Sequence, residues 1–121
     1  MEQILNYLAD RVGIVSFLVG IVFFIAAIIM HFFPPKEVNY LYGYRTNASM
    51  KNQQVWDFSQ KYSTGKMFQL ALFLLAFSFL NLFISINQEL AAFLGIGFMI
   101  VGCIYMIVTT EKAIKKNFPN Q

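Results

Sequence analysis

The residues best suited to chemistry lie in one block, Gly43-Tyr44-Arg45-Thr46-Asn47-Ala48-Ser49-Met50-Lys51-Asn52-Gln53-Gln54-Val55-Trp56, dense in amides, hydroxyls and cations. Arg45 offers five donors in a rigid planar fork, which suits a lipid phosphate, a partner carboxylate or the carbonyls of a peptide. Its plainer use is as a snorkelling cation, or one paired with Glu37 or Asp57. Gly43 permits a tight turn, and Tyr40, Tyr42 and Tyr44 around it are rings suited to headgroup level. An enzymatic reading would have Arg45 and Lys51 hold an anion while Ser49, His31 or Asp57 do the chemistry. No local spacing brings such a nucleophile and base together. The acidic residues are scattered singly, and one His with one Cys builds no zinc site. No catalytic residue, metal or cofactor is therefore expected.

The elements that hold this block are apolar. The chain of 121 residues is 58% hydrophobic and 12% charged, against roughly 45–50% and about 25% for soluble domains. Three uncharged runs, Val12 to Phe33, Met67 to Ile86 and Leu90 to Thr110, each approach the ~20 residues that span a bilayer as a helix. Pro34-Pro35 end the first by denying it backbone donors. Only Asn87, Gln88 and Glu89 separate the other two, which makes them an antiparallel hairpin. The opening segment lacks a basic n-region and is read as retained rather than as a signal peptide. The expected fold is an all-α integral membrane protein of three transmembrane helices, with a partly helical cytoplasmic loop between the first and second.

Small and polar residues should mark the faces where helices meet in lipid. Gly13, Ser16, Gly20 and Ala27 share one side of the first span, and Ala91, Gly95 and Gly102 one side of the third. Ser78, Asn81 and Ser85 form the intramembrane polar set of the second, with Asn81 expected to bond a neighbouring helix. The absence of Asp, Glu, Lys and Arg from every span argues against a proton-coupled pump. Basic residues decide orientation. Lys36, Arg45, Lys51, Lys61 and Lys66 follow the first span and Lys112, Lys115 and Lys116 follow the third, so loop and C-terminus are expected in the cytoplasm and the N-terminus outside. These cations suit membrane lipids; direct nucleic-acid binding is not expected.

Residues 34–66 are too many to cross without structure. A helix capped by Ser49, with Val55, Phe58 and Tyr62 on one side beside Trp56, would lie at the interface, and Gly65 offers a stop.

The run Gly43, Tyr44, Arg45, Thr46, then Ser49, Met50, Lys51, Asn52, then Trp56, placed after one span and before a hairpin of two, resembles the signature of the SdpI family. Identities at fixed spacing in a polar loop are far harder to match by accident than apolar similarity, and the resemblance covers roughly residues 14 to 115. The family's namesake is a bacterial immunity protein that defends a toxin producer against its own secreted, membrane-active peptide, and whose toxin-engaged form holds a transcriptional repressor at the membrane. The resemblance implies a single SdpI-like domain over residues 1–121, with a polar motif loop at 34–66, in a bacterial plasma membrane. It implies immunity or resistance to a peptide toxin, with signalling through the loop and no assigned catalytic role for the motif positions. Longer members carry a further N-terminal membrane region where eleven residues stand here, so the match is to the shorter, three-helix form. The partners to expect are a peptide toxin, a cytoplasmic regulator and, from the surplus of small-residue faces, further copies of the chain. The alternatives are a membrane adaptor recruiting a soluble protein through its basic loop and tail, and a small membrane enzyme acting on lipid or peptide.

Overall fold

A computed structural model describes residues 1–84 and 86–119, leaving aside the side chains of residues 8–11. Its elements run α1 Glu2–Arg11, α2 Ile14–Phe32, α3 Gln53–Leu80 and α4 Gln88–Asn117. α2, α3 and α4 are each long and apolar enough to cross a bilayer. No strand occurs among the described residues, so the architecture is all-helical as the hydropathy pattern predicts.

α2 stops where Pro34-Pro35 require it to: the Phe33 N–H donates to the Ile29 carbonyl at 2.7 Å and the chain then leaves the helical region. The second span differs from expectation at both ends. It is the distal part of one continuous helix that begins at Gln53, and Gly65 does not interrupt it. A lone glycine costs a helix only about 1 kcal/mol, and the packed turns on either side outweigh that. Asn52, rather than Ser49, caps the start, its Oδ1 accepting from the Val55 N–H at 2.9 Å. The end comes at Leu80 rather than Ile86 because a neighbour takes the carbonyl that a further turn would use. The Ser78 carbonyl accepts from the Gly13 N–H at 3.0 Å, and the Leu82 N–H donates instead to Phe79 at 3.0 Å. Asn81 becomes the C-cap, and the connection to α4 spans residues 81–87. Asn87 caps α4 through the Leu90 N–H at 2.8 Å.

The helices meet on the small residues. Ser16, Gly20 and Ala27 of α2, Ala71 and Ser78 of α3, and Ala91 and Gly95 of α4 are buried. A side chain at Gly95 would collide with the Ser16 hydroxyl, and one at Gly102 with the Leu70 side chain, so backbone proximity at these crossings depends on glycine. Edge-to-face rings flank the seam, Phe17 on Phe79 at 5.8 Å, and Phe73 and Phe77 on Phe98 at 5.2 and 5.0 Å. Such pairs add about 0.5–1.5 kcal/mol each.

Length positions the loop. At about 1.5 Å per residue, the 28 residues of α3 and 30 of α4 reach roughly 42 and 45 Å, well beyond a ~30 Å hydrocarbon core. Their short connection fixes one pair of ends together, so the surplus emerges at the other end, where residues 33–52 fold against it. All the basic residues except Arg11 belong to that end of the sequence pattern.

Candidate functional site

The motif loop is held as a hydrogen-bonded cap. Its central device is Gln60, one helical turn after Trp56 and 2% exposed. The Tyr44 N–H donates to Gln60 Oε1 at 2.7 Å, and Gln60 Nε2 donates back to the Tyr44 carbonyl at 2.8 Å. One amide side chain thus pairs with the loop backbone as a neighbouring strand would. The approach is possible because residue 43 is glycine: its φ is +109°, and a Cβ there would sit 2.7 Å from both Gln60 Oε1 and Pro35 Cγ.

A second device is a turn. Ser49, fully buried, accepts from the Thr46 N–H at 2.8 Å and donates towards the Thr46 and Tyr44 carbonyls at 3.0 and 3.3 Å. Thr46 Oγ1 receives the Ser49 N–H at 3.2 Å and donates to Glu111 of α4 at 3.2 Å. Since this turn occupies the Ser49 hydroxyl, the capping role falls to Asn52. The third device is Trp56, also fully buried, whose indole N–H donates to the Pro35 carbonyl at 2.8 Å. Gln53 reaches the Lys36 carbonyl from the same helix end. Val55 and Trp56 of the expected apolar side are therefore buried, together with Ser59, Gln60, Ser63 and Thr64, whereas Phe58 and Tyr62 stay half-buried and stack on each other at 5.8 Å, so the expected interfacial face is only partly free. Ser59, Ser63 and Thr64 satisfy their hydroxyls on carbonyls of their own helix at 2.7, 3.3 and 2.6 Å.

The cap ties the ends of all three long helices. The Tyr42 hydroxyl donates to the Phe33 carbonyl at 2.7 Å, beyond α2; Gln60 belongs to α3; Glu111 and the Ile107 carbonyl, 3.4 Å from the Tyr44 hydroxyl, belong to α4. Burial, and then the negative Glu111 carboxylate beside it, push the Tyr44 phenol above its ordinary value of 10.0.

Of the predicted positions, Gly43, Tyr44, Thr46, Ser49, Asn52 and Trp56 enter this network, and Met50 is half-buried beside them. Arg45 and Lys51 are exposed, and neither makes a hydrogen bond or ion pair among the described residues, so Arg45 is not paired with Glu37 or Asp57 as its plainer reading would have it. The intramembrane polar set lies elsewhere, at the opposite end of α3. Ser78 is buried and spends its hydroxyl on the Leu75 carbonyl at 2.6 Å. Asn81 is 3% exposed, yet its amide has no hydrogen-bond partner among the described residues, and neither has the Ser16 hydroxyl. The expected bond from Asn81 to another helix is absent among the described residues. Ser85 lies outside the described residues. Sequence reasoning missed Gln60, Glu111 and Pro35. The available signal was Gln60 and Ser63 following Trp56 at helical spacing, a polar stripe continuous with an apolar one.

Under the cap lies a cavity of about 490 Å³ between α2 and α4, floored by α3 at Ser63 and Met67 and roofed by residues 42–46. Ala26, Ile29, Met30, Met106 and Ile107 form its walls.

The profile of the SdpI/YfhL protein family matches residues 36–110, which take in the whole cap except Phe33, Pro35 and Glu111. The chain belongs to the SdpI/YfhL family. It is 35% identical over 94 residues to the uncharacterized protein YfhL of Bacillus subtilis (strain 168), an alignment covering 75% of this chain and 77% of that one. No solved structure matches it. Membership of the SdpI/YfhL family and three bilayer-length apolar helices identify a membrane protein.

Proposed function

We propose that this SdpI/YfhL-family protein confers immunity or resistance to a membrane-active peptide as a non-enzymatic device in a bacterial plasma membrane. The chain acts as one domain, N-terminus outside, with residues 34–66 and the C-terminus in the cytoplasm, the orientation that the basic residues favour. An invading peptide meets the bundle within the bilayer, and the motif cap registers that meeting. The observation that carries the reading is the tie from one short loop to α2, α3 and α4 at once, through Phe33, Gln60 and Glu111. A peptide that splays the helices must strain bonds of 2.7–3.2 Å on the other side of the membrane. The exposed residues Arg45 and Lys51 then offer a changed surface to a cytoplasmic regulator.

The test is deletion of the gene in its host and challenge with membrane-active peptides, with complementation by wild type, Arg45→Ala and Trp56→Ala at equal membrane abundance. Sensitivity rising on deletion and restored by wild type alone is the expected result. Unchanged sensitivity throughout would defeat the immunity reading and leave the adaptor, which the concentration of cations at one end of the bundle favours as the second choice.

A further inference from the structure

We propose that the cavity beneath residues 42–46 holds an acyl chain of one anionic phospholipid, with the phosphate on Arg45. Ile29 and Ile107 stand on its opposite walls and are 45% and 44% exposed, so the cavity opens sideways between α2 and α4. Both belong to bilayer-spanning helices, and the medium at that mouth is therefore lipid. About 490 Å³ falls within the ~300–1,000 Å³ of small-molecule sites. A peptide helix about 10 Å across would fill that space with roughly one 5.4 Å turn, too little to seat a membrane peptide. An alkyl chain fits the volume better, and the lining suits it. Met30, Met67 and Met106 come from three different helices, and their flexible thioethers adapt to a chain without fixed shape.

The polar groups on the lining are already committed, with one exception. Ser63 bonds the Gln60 carbonyl, Tyr42 the Phe33 carbonyl, and Thr46 Glu111 and Ser49. Arg45 alone lines the cavity with an unengaged charge among the described residues. Arg45 is exposed, lines this apolar slot and follows the Tyr44 backbone that Gln60 locks, so its planar fork can meet a phosphodiester there in two parallel hydrogen bonds. A lipid with no net charge would offset that phosphate with its own ammonium, so phosphatidylglycerol is favoured over phosphatidylcholine. This inference stands apart from immunity and survives its failure.

Native mass spectrometry of the full chain, released from detergent with phosphatidylglycerol or phosphatidylcholine of matched chains, tests it. The expected result is one retained phosphatidylglycerol per chain, at least about tenfold favoured over phosphatidylcholine. Arg45→Ala should remove that preference, Arg45→Lys restore part of it, and Lys116→Ala, in the last turn of α4 and off the cavity lining, leave it intact. Ala26→Trp, which fills the slot, should reduce retention with helix content unchanged by circular dichroism. If that variant loses helix, Met106→Phe takes its place with the same expectation. Equal retention of the two lipids, indifference to Arg45→Ala, or an equal loss with Lys116→Ala would each overturn the proposal.

Discussion

Replacing Gln60 by alanine removes both bonds to the Tyr44 backbone, of 2.7 and 2.8 Å, without touching a motif residue. A typical hydrogen bond contributes about 0.5–1.5 kcal/mol net, and a buried group left without a partner costs about 1–3. Tyr44 is half-buried, so water can reach part of what is exposed, and the pair together should be worth about 2–4 kcal/mol. At about 1.4 kcal/mol per tenfold, the loop would open roughly thirty to several hundred times more often. Amide hydrogen exchange followed by mass spectrometry in detergent micelles reads this directly, through the Tyr44 and Thr46 N–H groups that Gln60 and Ser49 hold. The sole tryptophan, Trp56, supplies a second reading by its emission. Gln60→Glu gives a sharper version. An ionised carboxylate still accepts from the Tyr44 N–H, but it turns an acceptor on the Tyr44 carbonyl, which raises its folded pKa above the unfolded value near ~4.3. Docking in Gln60→Glu is then fully favoured at pH below about 4 and weakens as pH rises through the folded pKa. Exchange at Tyr44 and Thr46 as slow in Gln60→Ala as in wild type would refute the assignment of the cap to this side chain.

Four further outcomes are expected. Gly43→Ala must place a Cβ 2.7 Å from Gln60 Oε1 and Pro35 Cγ at a φ of +109°, so limited proteolysis should cut residues 36–50 far faster than in wild type. Trp56→Phe keeps a ring but orphans the Pro35 carbonyl, which should lower stability by about 1–3 kcal/mol, against about 3–5 for Trp56→Ala, in thermal melts monitored by circular dichroism. The Tyr44 phenol is raised by burial and Glu111, so the stability it contributes is present below its ordinary value of 10.0 and declines as pH climbs above that. Tyr44→Phe should flatten the alkaline limb of the melting profile. Ser16→Ala removes a buried hydroxyl with no partner among the described residues, packed against Gly95, and should leave the melting point equal or higher; a clear fall would mean that the hydroxyl has a bound water to satisfy.

What was legible in the sequence is what local chemistry decides. The stop at Pro34, the small faces of α2 and α4, and the three apolar helices follow from residue types within a few turns. The corrections come from bonds that no local pattern contains. Ser49 and Asn52 are both capping residues, and only the Thr46 turn determines which one is free to cap. The end of α3 depends on the Gly13 N–H reaching across to Ser78. Gln60 has the look of a solvent-facing amide until the loop backbone arrives sixteen positions earlier in the chain. The motif was readable as a set, while the side chain that fixes it lay outside the set.

The passage of α3 through Gly65 without a break makes it a rigid lever. A tilt of about 5° in a rod of roughly 42 Å swings the far tip by nearly 4 Å, more than the whole length of the bonds between Gln60 and Tyr44. Bilayers of different thickness impose such tilts on a long helix. Membrane thinning at the surface opposite the cap, whatever agent causes it, would therefore be felt mechanically at Gly43 with no messenger in between.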